Sequence, residues 1–132
     1  MMQTYQWAVV GAGPAGIAAV SQLHTHGIDF KDILWIDAAF AVGDFGTKWR
    51  CVSSNTKAKL FSNYMHMIPQ FNYAHCADRY ELSRLPQDEV CALEKMAIPL
   101  RDVTQFLRAR VVSIKDTVHS LKLSARHWQL QL

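Results

Sequence analysis

No two cysteines stand in C-x-x-C spacing, no lysines and arginines gather into a cluster, and no apolar run reaches membrane length. Each absence removes a class of function. Cys51, Cys76 and Cys91 are an odd count without a disulfide or redox pattern, which suits reduced thiols in a cytosolic setting. A net charge of +3 and a pI near 8.9 are mild, so nothing supports nucleic-acid binding. The apolar stretch Ala8 to Val20 imitates a signal peptide, yet no lysine or arginine precedes Lys31 and the stretch holds three glycines and a proline. No membrane partner and a cytoplasmic location are therefore expected. Internal repeats and low-complexity segments are missing too.

What is present suits one globular domain. The chain has 132 residues, 50% hydrophobic and 19% charged, enough for a modest core. The informative stretch is Trp7-Ala8-Val9-Val10-Gly11-Ala12-Gly13-Pro14-Ala15-Gly16. An apolar strand, read over Tyr5 to Val10 and expected to be buried on both faces, runs into G-x-G-x-x-G and then a small-residue helix over Ala15 to His24. Gly11 lets the chain turn out of the strand, Gly13 makes room for a pyrophosphate, and Gly16 lets helix and strand pack closely. The helix N-terminus at Pro14 and Ala15 offers free N–H groups and a positive dipole end. Gly27 caps the helix, with His24 and His26 favouring its negative end.

A second strand, Ile33 to Ile36, ends in Asp37, about 20 residues after Gly16, where an acid meets a ribose hydroxyl. Strand, glycine turn, helix, strand and acid make a right-handed βαβ unit for an ADP-containing cofactor. The acid repels a 2′-phosphate and so disfavours NADP, while FAD and NAD stay open. The plain alternative is a βαβ crossover whose glycines serve packing alone.

Beyond Asp37 the pattern is weaker. Residues 38–71 read as a long loop-rich region with at most a short helical turn, a length that usually signals function. Arg79 to Met96 shows intermittent helical spacing broken at Pro86. A firmer helix is expected from Leu100 to Arg110, with Pro99 just before it. Val111 to Ile114, Val118 to Leu123 and Trp128 to Leu132 read as three strands, the last two forming a hairpin through Ser124-Ala125-Arg126. Trp7, Trp35 and Trp128 fall within strands, as core or sheet-surface packing. The pattern stops part-way at Leu132, so the chain is expected to be the N-terminal part of a longer protein. Exposed sheet surface would then favour self-association.

The loop carries a resemblance. Gly43-Asp44-Phe45-Gly46-Thr47-Lys48-Trp49, then Val52-Ser53-Ser54-Asn55-Thr56-Lys57, Leu60-Phe61 and Ile68-Pro69-Gln70-Phe71, resemble the flavin-containing monooxygenases and their FAD/NAD(P)-binding relatives. Phe45 replaces one glycine of that pattern, and the spacing to Trp49 is one residue longer. The resemblance implies an α/β Rossmann-like FAD/NAD(P)-binding domain over residues 1–132, a parallel sheet with helices on both faces plus a β-meander. It implies that Gly11, Gly13, Pro14, Ala15 and Gly16 face the FAD pyrophosphate and that Asp37, with Ala38 beside it, binds the ribose. Lys48 and Trp49 would lie along the cofactor, Val118 near the adenine, and Asn55, the implied catalytic residue, near the reactive ring edge. The implied activity is an FAD-dependent, monooxygenase-like oxidation of a small molecule, with NADPH bound outside this chain. No Ala-Thr-Gly segment and no second glycine-rich fingerprint occur before Leu132, and without them the chain cannot reduce its own flavin by the family's route.

Other readings remain beside it. A non-catalytic or truncated adenine-nucleotide-binding module fits the same glycines. An NAD-dependent dehydrogenase would need further parallel strands directly after Asp37. Disulfide-reductase chemistry is excluded, because Lys48 and Ser53 stand where two cysteines are required. Cys51 is expected to be an inert small hydrophobe. His66, His75, Cys76 and Cys91 fit no zinc spacing, so no metal is expected.

Overall fold

The computed structural model describes residues 3–67 and 90–132. In chain order these form β1 (Trp7–Val10), α1 (Pro14–Thr25), a 3-10 turn (Phe30–Asp32), β2 (Ile33–Ile36), α2 (Gly43–Gly46), β3 (Ser53–Lys57), α3 (Ala58–His66), β4 (Val90–Ala92), α4 (Leu93–Arg108), β5 (Val112–Ile114), β6 (Ser120–Ser124) and β7 (His127–Gln131). Ile68 to Phe71, His75, Cys76 and the break at Pro86 lie outside the described residues.

The architecture is α/β, built on a small parallel sheet in the order β1-β2-β5. Trp7 to Val10 pair in register with Ile33 to Ile36, and Leu34 to Ile36 pair with Val112 to Ile114. The expected βαβ unit is therefore present. As the central strand, β2 buries all four of its residues. β1 does not. Trp7 is 48% exposed and Val10 57%, because only β2 adjoins this strand among the described residues. The expectation of burial on both faces fails for that reason.

α1 starts where proline is best tolerated, at the first helical position after an extended Gly13. It ends at His26 and Gly27, the latter at φ +95°, with His24 stacked on Phe30 at 3.6 Å. Ile17 and Val20 of this helix meet Ile33 and Trp35 on one face of β2, together with Leu100, Val103 and Leu107 of α4. Each such side chain removed from water contributes about 2 kcal/mol. Leu34 and Ile36, on the opposite face, are buried as well but stay outside that cluster.

The loop-rich reading of residues 38–71 is corrected by α2, β3 and α3. β3 has the polar sequence Ser53-Ser54-Asn55-Thr56-Lys57 and exists because it pairs antiparallel with β4, Ser53 beside Ala92 and Lys57 beside Val90. α3 buries Ala58, Ser62 and Met65, a stripe too small and polar to read as a core face. The late helix begins at Leu93 and runs through Pro99, which was expected to precede it. Proline there withholds the bond that residue 99 would donate to Lys95, at a cost of about 3 kcal/mol. Burial of Met96, Ala97, Leu100, Val103, Thr104 and Leu107 offsets that cost.

The three late strands are present: β5 joins the parallel sheet, and β6 and β7, where a meander is implied, pair as the expected hairpin, Leu121 beside Leu130 and Leu123 beside Trp128. Trp35 is a core residue, whereas Trp128 is 64% exposed. Among the described residues no helix is long and apolar enough to cross a membrane.

Candidate nucleotide site

The site is the turn between β1 and α1, closed from below by the end of β2. Gly11 leaves the strand at φ +105°, a conformation that side chains rarely adopt. Its N–H donates to Ile36 O at 2.7 Å, and its carbonyl accepts from Trp35 Nε1 at 2.7 Å. At Gly16 an added Cβ would overlap the carbonyl of Gly11, so glycine is required for the helix to begin this close to the strand. At Gly13 the same construction meets nothing within 4 Å, which leaves open space above the backbone. Gly13 caps α1 without a side-chain hydrogen bond, and no acid lies in the first turn. The N–H groups of Ala15 and Gly16 have no partner inside the helix by its geometry.

Asp37 is held by three backbone amides. Its Oδ2 accepts from Ala12 N at 2.8 Å, and its Oδ1 accepts from Ala39 N at 2.9 Å and Phe40 N at 2.6 Å. The carboxylate thus ties the glycine turn to the segment after β2. A carboxylate offers about four acceptor positions, so one remains for an incoming hydroxyl. Burial pushes this carboxyl up, but the N–H donors of Ala39, Phe40 and Ala12 outweigh it and hold it below the ordinary 3.8. Because the folded value is the lower one, the charged form stabilises the fold above pH 3.8, and that contribution fades as the pH falls further. The stability gap between wild type and Asp37→Asn is accordingly expected to shrink from pH 6 to about pH 3 in urea titrations. A gap independent of pH would refute the clamp.

The following turn is strained and held from outside. Phe40 and Val42 take φ +51° and +62°, a rare state for a β-branched residue. Arg108 of α4 lies 4.4 Å from the Phe40 ring centroid, and Arg101 donates to the carbonyl of Gly46. An added Cβ at Gly43 would come within 3.3 Å of Gly13 Cα, so the two glycine backbones lie against each other.

Beside Pro14 opens a cavity of about 710 Å³, walled by Ala18, Phe45, Trp49, Asn55, Phe61, Tyr64, Met96 and Leu100 among others. Its described lining is mostly apolar and carries no charged side chain. Pro14, Trp49 and Asn55 are thereby brought together, while Gly11, Gly13, Ala15, Gly16 and Asp37 form the adjoining turn. Ala38 is exposed beside Asp37. Lys48 does not join them: it is exposed and paired with Asp44 at 3.5 Å. Val118 also stays outside the lining, two residues beyond Asp116, whose N–H donates to Asp37 O. Cys51 is exposed, and burial pushes the Cys91 thiol up against the opposing charge of Lys95. Among the described residues no cluster of His, Cys, Asp and Glu could hold a metal.

Sequence reasoning missed Trp35, Phe40 and Arg108. Alternation along β2 marks Trp35 as inward-facing, but nothing local shows which carbonyl its N–H will find.

With this geometry in hand, the likeness to known proteins is instructive. The chain is 34% identical over 102 residues to monooxygenase AgnR1 of Paecilomyces divaricatus. The match covers 74% of this chain and 26% of that protein, so the chain spans about a quarter of its relative's length. No family model and no solved structure matches. The chain thus has a monooxygenase-like relationship.

Proposed function

We propose that this chain forms the ADP-binding part of an FAD-dependent oxidoreductase of monooxygenase type, with a Rossmann-like fold. One observation carries the reading: the Asp37 carboxylate lies 2.8 Å from the Ala12 amide inside the glycine turn, so the ribose-binding acid and the phosphate-binding backbone converge. The residues fit the group. Open space at Gly13 admits a pyrophosphate, the amides of Ala15 and Gly16 with the helix dipole neutralise it, and Asp37 accepts a ribose hydroxyl. Pro14, Trp49 and Asn55 border the adjoining cavity, where an uncharged, flat ring system is accommodated and Asn55 offers the hydrogen bonds of an amide. FAD, when bound, supplies the electron transfer to oxygen, and the protein's part is position and electrostatics. NADPH would bind in a region beyond this chain.

A second reading, a nucleotide-binding module without catalysis, draws on the same cavity. Its described walls hold no His, Cys, Asp or Glu, so the described residues bring no strong acid or base to it. The visible absorption spectrum of the purified protein, followed by release of bound nucleotide, separates the two. A flavin spectrum supports the oxidoreductase. A colourless protein that refuses added FAD yet binds ADP supports the module, and one that takes neither overturns both.

Association between copies belongs to the same proposal. The hairpin gathers Leu121, Leu123, Trp128 and Leu130 on one face, and the first three are more than half exposed. A lone two-stranded hairpin is marginal in water and needs cover. Light scattering is expected to give a mass above the 15.0 kDa of one chain, falling to one chain in the Leu123→Ser, Trp128→Ser double variant. A monodisperse single chain from the outset rejects it.

A further inference from the structure

One peptide unit of the glycine turn is gripped on both sides. The carbonyl of Gly11 accepts from the Trp35 indole at 2.7 Å, and the next amide, that of Ala12, donates to Asp37 Oδ2 at 2.8 Å. Trp35 and Ala12 are both fully buried, while their partners Gly11 and Asp37 are partly so, which limits the access of water to these bonds. Grip is needed because Gly11, at φ +105°, has no Cβ to restrict rotation of the peptide that follows it. If that peptide turned over, the carbonyl oxygen would face the Asp37 carboxylate and the amide would point away.

We propose that Trp35 is a positioning residue of the nucleotide site, its indole N–H locking the Gly11–Ala12 peptide so that the amide holds Asp37 in place for a ribose. This inference rests on the ADP-binding reading of the site. The same ring supports Asp37 from a second direction. It meets the Phe40 ring edge-on at 5.2 Å, and the amide of Phe40 is another donor to the carboxylate. The bond lies against the start of the helix, since an added Cβ at Gly16 would overlap the Gly11 carbonyl and stand 3.6 Å from Trp35 Nε1. Packing alone does not require the nitrogen. Phenylalanine keeps an aromatic ring in the core but lacks the donor and part of the indole's bulk, so the readouts are taken at the Ala12 amide and the ligand rather than from stability.

The test compares the whole chain with its Trp35→Phe variant by two readouts. Amide hydrogen exchange at Ala12, measured by NMR without nucleotide, reads the grip itself. Calorimetric titration with ADP reads its use. The variant is expected to exchange Ala12 about tenfold faster and to bind ADP about tenfold more weakly. Its effect on ADP affinity and that of Asp37→Asn are expected to combine to less than their sum, since both act through one peptide. If the variant binds ADP as tightly as wild type, the inference fails while the ADP-binding reading stands. If wild type binds neither ADP nor FAD, that reading fails and takes the inference with it. Should Trp35→Phe not fold, the wild-type Ala12 amide decides. Exchange as fast as in an open loop overturns the grip, and protection lost on acidification through the Asp37 titration supports it.

Discussion

Gly16→Ala is expected to destabilise the fold by about 2–3 kcal/mol, although alanine is the better helix former. In an unconstrained helix the exchange of glycine for alanine gains about 1 kcal/mol. Here the new methyl would overlap the carbonyl of Gly11. That oxygen has little freedom to retreat. It accepts from Trp35, and the amide of its own residue is tied to Ile36. The strain must instead push α1 away from β1 and β2, loosening Ile17 and Val20 from the core cluster. A domain with about 5–15 kcal/mol of stability feels such a loss plainly, as a fall of roughly 10 °C in melting temperature. Urea and thermal unfolding of the variant provide the check. An unchanged or raised midpoint would show that helix and strand do not approach as closely as the turn requires.

Gly13→Trp is expected to do the opposite, leaving stability within about 0.5 kcal/mol while weakening ADP or FAD binding by at least about a hundredfold. Gly13 has φ −77° and ψ −176°, an extended backbone that any residue adopts, and no atom lies within 4 Å of where its Cβ would stand. The indole would occupy the space proposed for the pyrophosphate. Two glycines three positions apart are thus expected to answer differently, one through the fold and the other through the proposed ligand. Binding that survives Gly13→Trp would place the nucleotide elsewhere, and a collapse of stability would show that the space over Gly13 is not open.

The contrast separates two kinds of information in this chain. The run from Trp7 to Asp37 was legible because its signals are local. A short apolar run, glycines at the turn, small residues with helical spacing, a second apolar run and an acid each act within a few positions. The observed strands Trp7–Val10 and Ile33–Ile36 and the helix Pro14–Thr25 follow from them. Asp37 was legible as an acid at a strand end, and Gly16 as a close-packing position.

Elsewhere distant partners decided. Ser53 to Lys57 carry no strand pattern and become a strand only against Val90 to Ala92. Pro99 ends a helix by its own chemistry, yet sits inside one because the side chains around it are buried. Val112 to Ile114 show a β-branched run and no more, and their place in the parallel sheet comes from the edge that β2 offers them. The clamp that Asp37 forms on Ala12, Ala39 and Phe40 needed β2 to end beside the glycine turn. The sequence by itself determined the βαβ frame, because hydrophobic period and glycine freedom belong to each residue and its near neighbours. Only the tertiary structure decided which groups of the turn face one another, because the hydrogen bonds from Trp35 to Gly11 and Arg101 to Gly46, and the stacking of Arg108 over the Phe40 ring, join residues far apart in the chain.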